Sequence, residues 1–254
     1  MQRYGRRCHC SNNGQHFQTE YIKRTSAMKK GLKLIVVLLA AALTTGCSGP
    51  KYVNDGSNVY HSYWTFSFGT VRHELPDVDA SSFRKVNSWL GRDKNHVYYE
   101  DKLVEGADPA TLKAKKKPLC ADSKDYYYKG EALHVADMGT FQVLRMDDSH
   151  LWAKDRQNVY FDNMTISGAD VGTFQVIKPY EAKDRMHVYY FGKPLDGADP
   201  STYTIMDGGY AKDNRHVWYY GKLVEGADAA TFRAVGSDGS GMDKNARYKG
   251  CSKI

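Results

Sequence analysis

An aspartate followed by polar residues and then by a cluster of tyrosine, phenylalanine or tryptophan recurs six times in this chain, opening at Asp93, Asp122, Asp155, Asp184, Asp213 and Asp243. Successive openings lie 29, 33, 29, 29 and 30 residues apart. A fixed period of that size marks a repeat architecture, in which one unit cannot bury a core and stacked neighbours complete it. The chain is therefore expected to be a tandem array. Such arrays serve mainly for binding and display, and no residue of the period carries an evident catalytic role.

Counting each leading Asp as position zero, aromatic residues fall at +5 and +6: Tyr98–Tyr99, Tyr127–Tyr128, Tyr160–Phe161, Tyr189–Tyr190 and Trp218–Tyr219. Position +8 is Asp101, Gly130, Asn163, Gly192 or Gly221, residue types that tolerate the positive φ of a tight turn, and an apolar residue follows at +11. A short aromatic run, a turn residue and a second short run predict a β-hairpin. An Asp at +15 (Asp108, Asp137, Asp170, Asp199, Asp228), with Thr at +18 in the regular units, predicts a capped turn or one short helical turn. The +19 side chain (Leu112, Phe141, Phe174, Tyr203, Phe232) opens a further extended run. Each unit then holds three or four short antiparallel strands. Residues 52–90 read as a degenerate first unit, with Asp55 and Asp79 in the two aspartate positions and an insertion around Tyr63–His73.

The alternation of Asp-Lys-Asn-x-Val-Tyr-Tyr with Gly-Ala-Asp-x-x-Thr-Phe closely resembles the DKNYY repeat family of bacterial, often lipoprotein, sequences over roughly residues 52–250. The resemblance implies a class of molecule and not a reaction.

Location is written in the stretch that starts at Met28. Lys29, Lys30 and Lys33 precede the apolar run Leu34–Leu43, and Thr44-Thr45-Gly46 lead to Cys47. A basic start, a short apolar run and small residues are the parts of a secretory signal, and the run is too short to span a bilayer, which needs about 20 apolar residues. Leu43-Thr-Thr-Gly-Cys47 resembles the lipobox of bacterial lipoproteins, which implies acylation of Cys47 and a membrane anchor; Ser48 resembles the outer-membrane sorting class. The expected organisation is an unstructured upstream extension (1–27), a lipoprotein signal peptide (28–46), a lipidated tether (47–51) and a β-repeat domain (52–254). Eight of the 36 Lys and Arg and one of the 29 Asp and Glu precede Cys47, so the mature chain is balanced in charge. A nucleic-acid partner needs a basic footprint, and that class falls away.

The remaining motifs favour scaffolding over chemistry. A calcium loop needs oxygen ligands at alternating positions, yet +2 includes Lys124, Met186 and Arg215. The openings are read instead as turns in which Asp accepts hydrogen bonds from its own backbone, each worth about 1 to 2 kcal/mol. His96, His187 and His216 share position +3 but have no partner at metal-ligand spacing. No catalytic residue, metal or cofactor is expected. Alternation along a strand sends +5 and +6 to opposite faces, so Tyr98, Tyr127, Tyr160, Tyr189 and Trp218 are candidate ligand-facing aromatics if their column is exposed, and core residues if it packs between units. Cys120 and Cys251 are a candidate disulfide. Because they stand about four and a half repeats apart, that bond would require the array to close, and together with the half-repeat at the C-terminus it tips a narrow balance toward a propeller-like ring over an open solenoid. The expected function is that of an outer-envelope lipoprotein acting as a non-enzymatic binding or structural module toward an envelope protein. The alternative is a glycan or peptidoglycan binder using the aromatic ladder.

Overall fold

A computed structural model describes residues 49–254. The upstream extension, the signal peptide and the acylation site Cys47 lie outside the described residues. Strand β1 begins at Lys51, the last residue of the expected tether.

The described residues form seven small antiparallel sheets in tandem, each a meander whose strands pair in chain order. The first sheet has three strands, β1 (Lys51–Asn54), β2 (Val59–Thr65) and β3 (Gly69–Glu74), and the insertion expected around Tyr63–His73 is the long β2–β3 hairpin. The other six sheets have four strands each, exemplified by Gln142–Met146, Leu151–Lys154, Val159–Phe161 and Met164–Thr165. The all-β repeat reading therefore holds. The frame differs: each four-stranded sheet takes its first two strands from the end of one sequence period and its last two from the start of the next. This explains the truncated sixth period, whose two strands, Arg247–Lys249 and Ser252–Lys253, join Arg233–Ala234 and Ser240–Met242 to complete the seventh sheet.

Two-residue hairpin turns close the aromatic strands. Lys129-Gly130, Phe191-Gly192 and Tyr220-Gly221 place both central residues at positive φ, the geometry that suits the twist of a hairpin. Glycine has a second reason at +8, where the turn lies on the aromatic residue of the preceding sheet. A Cβ on Gly192 would stand 2.9 Å from Cβ of Phe161.

The core is divided among the joints between neighbours. Val59, Leu75, Phe83 and Tyr98 fill the first joint; Trp89, Val97, Tyr99, Cys120 and Tyr127 the second; Leu119, Tyr128, Leu151 and Tyr160 the third. Trp152, Phe161, Phe174 and Tyr189 fill the fourth, Val188, Tyr203 and Trp218 the fifth, and Tyr210, Val217, Phe232 and Tyr248 the sixth. Each cluster draws on two consecutive sheets and no others.

This arrangement corrects the disulfide and removes the support for a ring. Cys120 and Cys251 are both free thiols. Cys120 is buried in the second joint, while Cys251 is exposed in the last sheet with its Sγ 4.0 Å from the carbonyl of Lys222. Among the described residues, no side-chain hydrogen bond spans more than the 46 residues between Tyr52 and Tyr98, and no core cluster joins the first sheet to the last. The last sheet also needs no strand from the other end of the chain. Burial pushes the Cys120 thiol up to about 12, with the Asp122 carboxylate adding to the effect. Thiolate is the reactive form, so iodoacetamide at pH 8 should modify Cys251 in the native protein and Cys120 only after denaturation, as read by peptide mapping. A disulfide-linked peptide containing both residues would contradict this assignment of two free thiols.

Candidate functional site

The repeated polar residues converge on the leading aspartate. At Asp155, Oδ1 accepts the backbone N–H groups of Gln157 (2.7 Å) and Asn158 (2.7 Å), while Oδ2 accepts the N–H of Asp137 (2.9 Å) and the hydroxyl of Tyr160 (2.6 Å). Asp93, Asp122, Asp184 and Asp243 repeat this four-donor arrangement with their own +2 and +3 amides, the amide of the preceding Ala-Asp turn and the +5 tyrosine. The residues are between 2% (Asp155) and 9% (Asp122) exposed. Burial alone would raise such a carboxyl, but the donated hydrogen bonds outweigh it and hold Asp93, Asp155, Asp184 and Asp213 below the ordinary range, with Asp243 at about 2.

The expected turn is thus present, and the sequence reading missed its longer reach. The carboxylate also fastens the lead-in turn of its sheet and anchors an aromatic ring through its hydroxyl. The rest of the motif serves the same joint. The Asp at +15 accepts the amide two residues on, as Asp137 does from Gly139 within the short helical turn Met138–Thr140. The Thr at +18 accepts the amide after the next leading Asp, as Thr173 does from Arg185, whose guanidinium pairs with Asp170 at 2.8 Å. The residue before the leading Asp reaches the following sheet: Lys154, Lys183 and Lys212 donate from Nζ to the carbonyls of Val171, Pro200 and Ala229, each 17 residues on.

The five candidate ligand-facing aromatics are not on the surface. Tyr98, Tyr127, Tyr160, Tyr189 and Trp218 are all at most 2% exposed. Each packs toward the preceding sheet, while Tyr99, Tyr128, Phe161 and Tyr219 pack toward the following one. Both faces of an internal sheet are covered, so strand alternation leaves neither aromatic column to solvent. His96, His187 and His216 lie one per sheet, their Nδ1 atoms 3.7, 3.9 and 3.8 Å from the leading Asp of the same sheet. Among the described residues, no three His, Cys, Asp or Glu side chains form a metal-binding group.

Two positions break the pattern. Trp218 has no hydroxyl to offer Asp213, and the neighbouring His216 Nδ1 is buried without a hydrogen-bond partner. Glu181 stands three residues before its leading Asp, where the other four-stranded sheets have Leu90, Leu119, Trp152, Tyr210 or Ser240. It is buried, its Oε2 has no hydrogen-bond partner, and burial raises its carboxyl to about 7, partly opposed by Lys178. A shallow depression at the same joint is lined by Gln175, Val176, Lys183, Tyr203 and Ile205. It holds no nucleophile paired with a base.

With this geometry in view, comparison with known families is decisive. The DKNYY family matches residues 12–131, 52–207 and 120–251. The chain belongs to the DKNYY family. No curated protein and no solved structure shows significant similarity to it. The DKNYY motif is legible here as one hydrogen-bonded device: the Asp collects the donors, the basic residue after it pairs with the carboxylate of the preceding Ala-Asp turn, and the two aromatics enter the two adjoining cores.

Replacing Asp155 by Asn leaves one carbonyl oxygen for four donors and turns an NH2 toward N–H groups. The cost should be about 3 kcal/mol or more, above the 1 to 2 kcal/mol of a single turn hydrogen bond, whereas Tyr160→Phe should cost about 1 to 2 kcal/mol. Urea unfolding of the two variants separates these values. Glu181 behaves oppositely with pH. Its folded form retains a proton that the unfolded chain, with an ordinary value of 4.5, releases, so its contribution falls as pH rises from 4.5 to about 7. Glu181→Gln should therefore stabilise the protein by about 1 to 3 kcal/mol above pH 7, with the gain vanishing below pH 4.5, as measured by unfolding across that range.

Proposed function

We propose that this DKNYY protein is an outer-envelope lipoprotein, anchored through Cys47, whose open array works as a non-enzymatic structural or binding module. The observation that carries the reading is the use of the repeated motif: its aspartates, tyrosines, threonines and basic residues are committed to joints between sheets. Such joints suit an elongated spacer whose outer surface is free to vary. The lipobox-like Leu43–Cys47 supplies the attachment and Ser48 the outer-membrane destination. The glycan-binding alternative has lost the aromatic ladder on which it rested. An open solenoid, not a propeller, is the form we assign to the array.

The reading is tested in intact cells of the source bacterium. A photo-activatable residue placed at the exposed Met186 or Tyr220 should cross-link an envelope component, and mass spectrometry of the recovered protein should find acylated Cys47 as its first residue. An unmodified N-terminus upstream of Cys47, or capture of cytoplasmic components alone, would overturn it.

A further inference from the structure

The first sheet carries a feature that the repeat does not require. The β2–β3 hairpin extends beyond the short β1, and its end presents Trp64 (40% exposed), Phe66 (86%) and Phe68 (82%). Trp64 and Phe66 form an edge-to-face pair with centroids 4.7 Å apart, and none of the three belongs to a core cluster. The end is nonetheless folded: Thr65 Oγ1 accepts the Phe68 amide at 3.2 Å, and Gly69 supplies the positive φ of the turn. An ordered hairpin that holds three large aromatics in water marks an interaction surface.

Register places this end relative to the expected anchor. Lys51 pairs with Ser62, so the start of β1 and the tip of the hairpin lie at the same end of the first sheet. Tyr63, Trp64 and Thr65 carry β2 roughly 10 Å past Lys51. Cys47 precedes Lys51 by four residues, a reach of at most about 14 Å. The four-residue connection is therefore short enough to keep the aromatic tip close to the leaflet that an acylated Cys47 would enter. Behind the tip, Lys51, Ser62 and Arg72 stand in one row across the three strands. Lys51 and Arg72 are exposed, and neither is in an ion pair among the described residues. The order from the tip inward is phenylalanine, tryptophan, then cations, which matches the order of hydrocarbon, interface and headgroup phosphate in a membrane.

We infer that the Trp64–Phe68 tip inserts into the lipid leaflet that holds Cys47, as a second, non-covalent contact that fixes the orientation of the array on the membrane. This rests on the lipoprotein reading above. A bilayer is the occupant because the chain from the anchor enters the sheet at its tip end and two exposed cations stand in the row behind the tip.

The mature, full-length protein is reconstituted into phosphatidylethanolamine–phosphatidylglycerol vesicles with brominated acyl chains, and its tryptophan fluorescence is compared with that in unbrominated vesicles. Trp89, Trp152 and Trp218 are buried, so the exposed Trp64 reports on the tip. Bromolipid quenching is expected; it should disappear in Trp64→Phe and be largely lost in a Phe66→Ser, Phe68→Ser double variant, while acylation of Cys47 is unchanged. If Cys47 is acylated and Trp64 stays open to aqueous acrylamide with no bromolipid quenching, the insertion is refuted and the anchor stands. If Trp64 becomes protected without lipid as protein concentration rises, the tip joins two copies and the membrane placement falls. A chain recovered without acylation fails the lipoprotein reading itself, and the placement of the tip fails with it.

Discussion

The structure depends on a buried carboxylate satisfied by four donors. A sheet of short strands has little surface with which to hold its own lead-in turn, and the polar groups at its edge would otherwise be left to water. The leading aspartate solves both problems. Two amides of its own turn, the amide of the preceding turn and a tyrosine hydroxyl converge on two oxygens. A buried charge with incomplete partners is costly, whereas one with every lone pair used fixes a single geometry. The period is thus set by a polar device, and the apolar core is built around the ring which that device holds.

Long-range order follows from nearest-neighbour contacts. Each joint has its own cluster of aromatic and aliphatic side chains, and the lysines before Asp155, Asp184 and Asp213 reach into the next sheet. In such an array stability is close to a sum of unit and joint terms, and a terminal unit must differ from the rest because one of its faces has no partner. The first sheet fits this rule: it lacks a fourth strand, its Asp55 lies exposed while still accepting the amides of Ser57 and Asn58, and its hairpin carries aromatics outward.

Departures from the consensus sit where the device is weakened. Trp218 fills the space of a tyrosine but cannot donate to Asp213, and His216 is left with a ring nitrogen that has no hydrogen-bond partner. Glu181 replaces an apolar residue among Tyr180, Tyr190 and Tyr203. Both fall around the sixth sheet and its joint with the fifth, so the array is not uniform along its length.

The sequence by itself determined the repeat, its strand content, the turn at each aspartate and membership of the family, because those are consequences of local spacing. Asp-to-amide distances of two and three residues, alternation along a strand and glycine in a hairpin turn are all set within one period. What the tertiary structure alone decided were relations between periods: that the sheet frame is offset from the sequence frame, that both aromatic columns are covered, that Cys120 and Cys251 do not meet, and that Tyr160 and Asp137 share one carboxylate oxygen. Period-two alternation tells which residues part company across a sheet but not whether another sheet covers each face. That answer depends on stacking, in which neighbours bury the +5 and +6 aromatics of the internal sheets while the first hairpin presents Trp64, Phe66 and Phe68 outward.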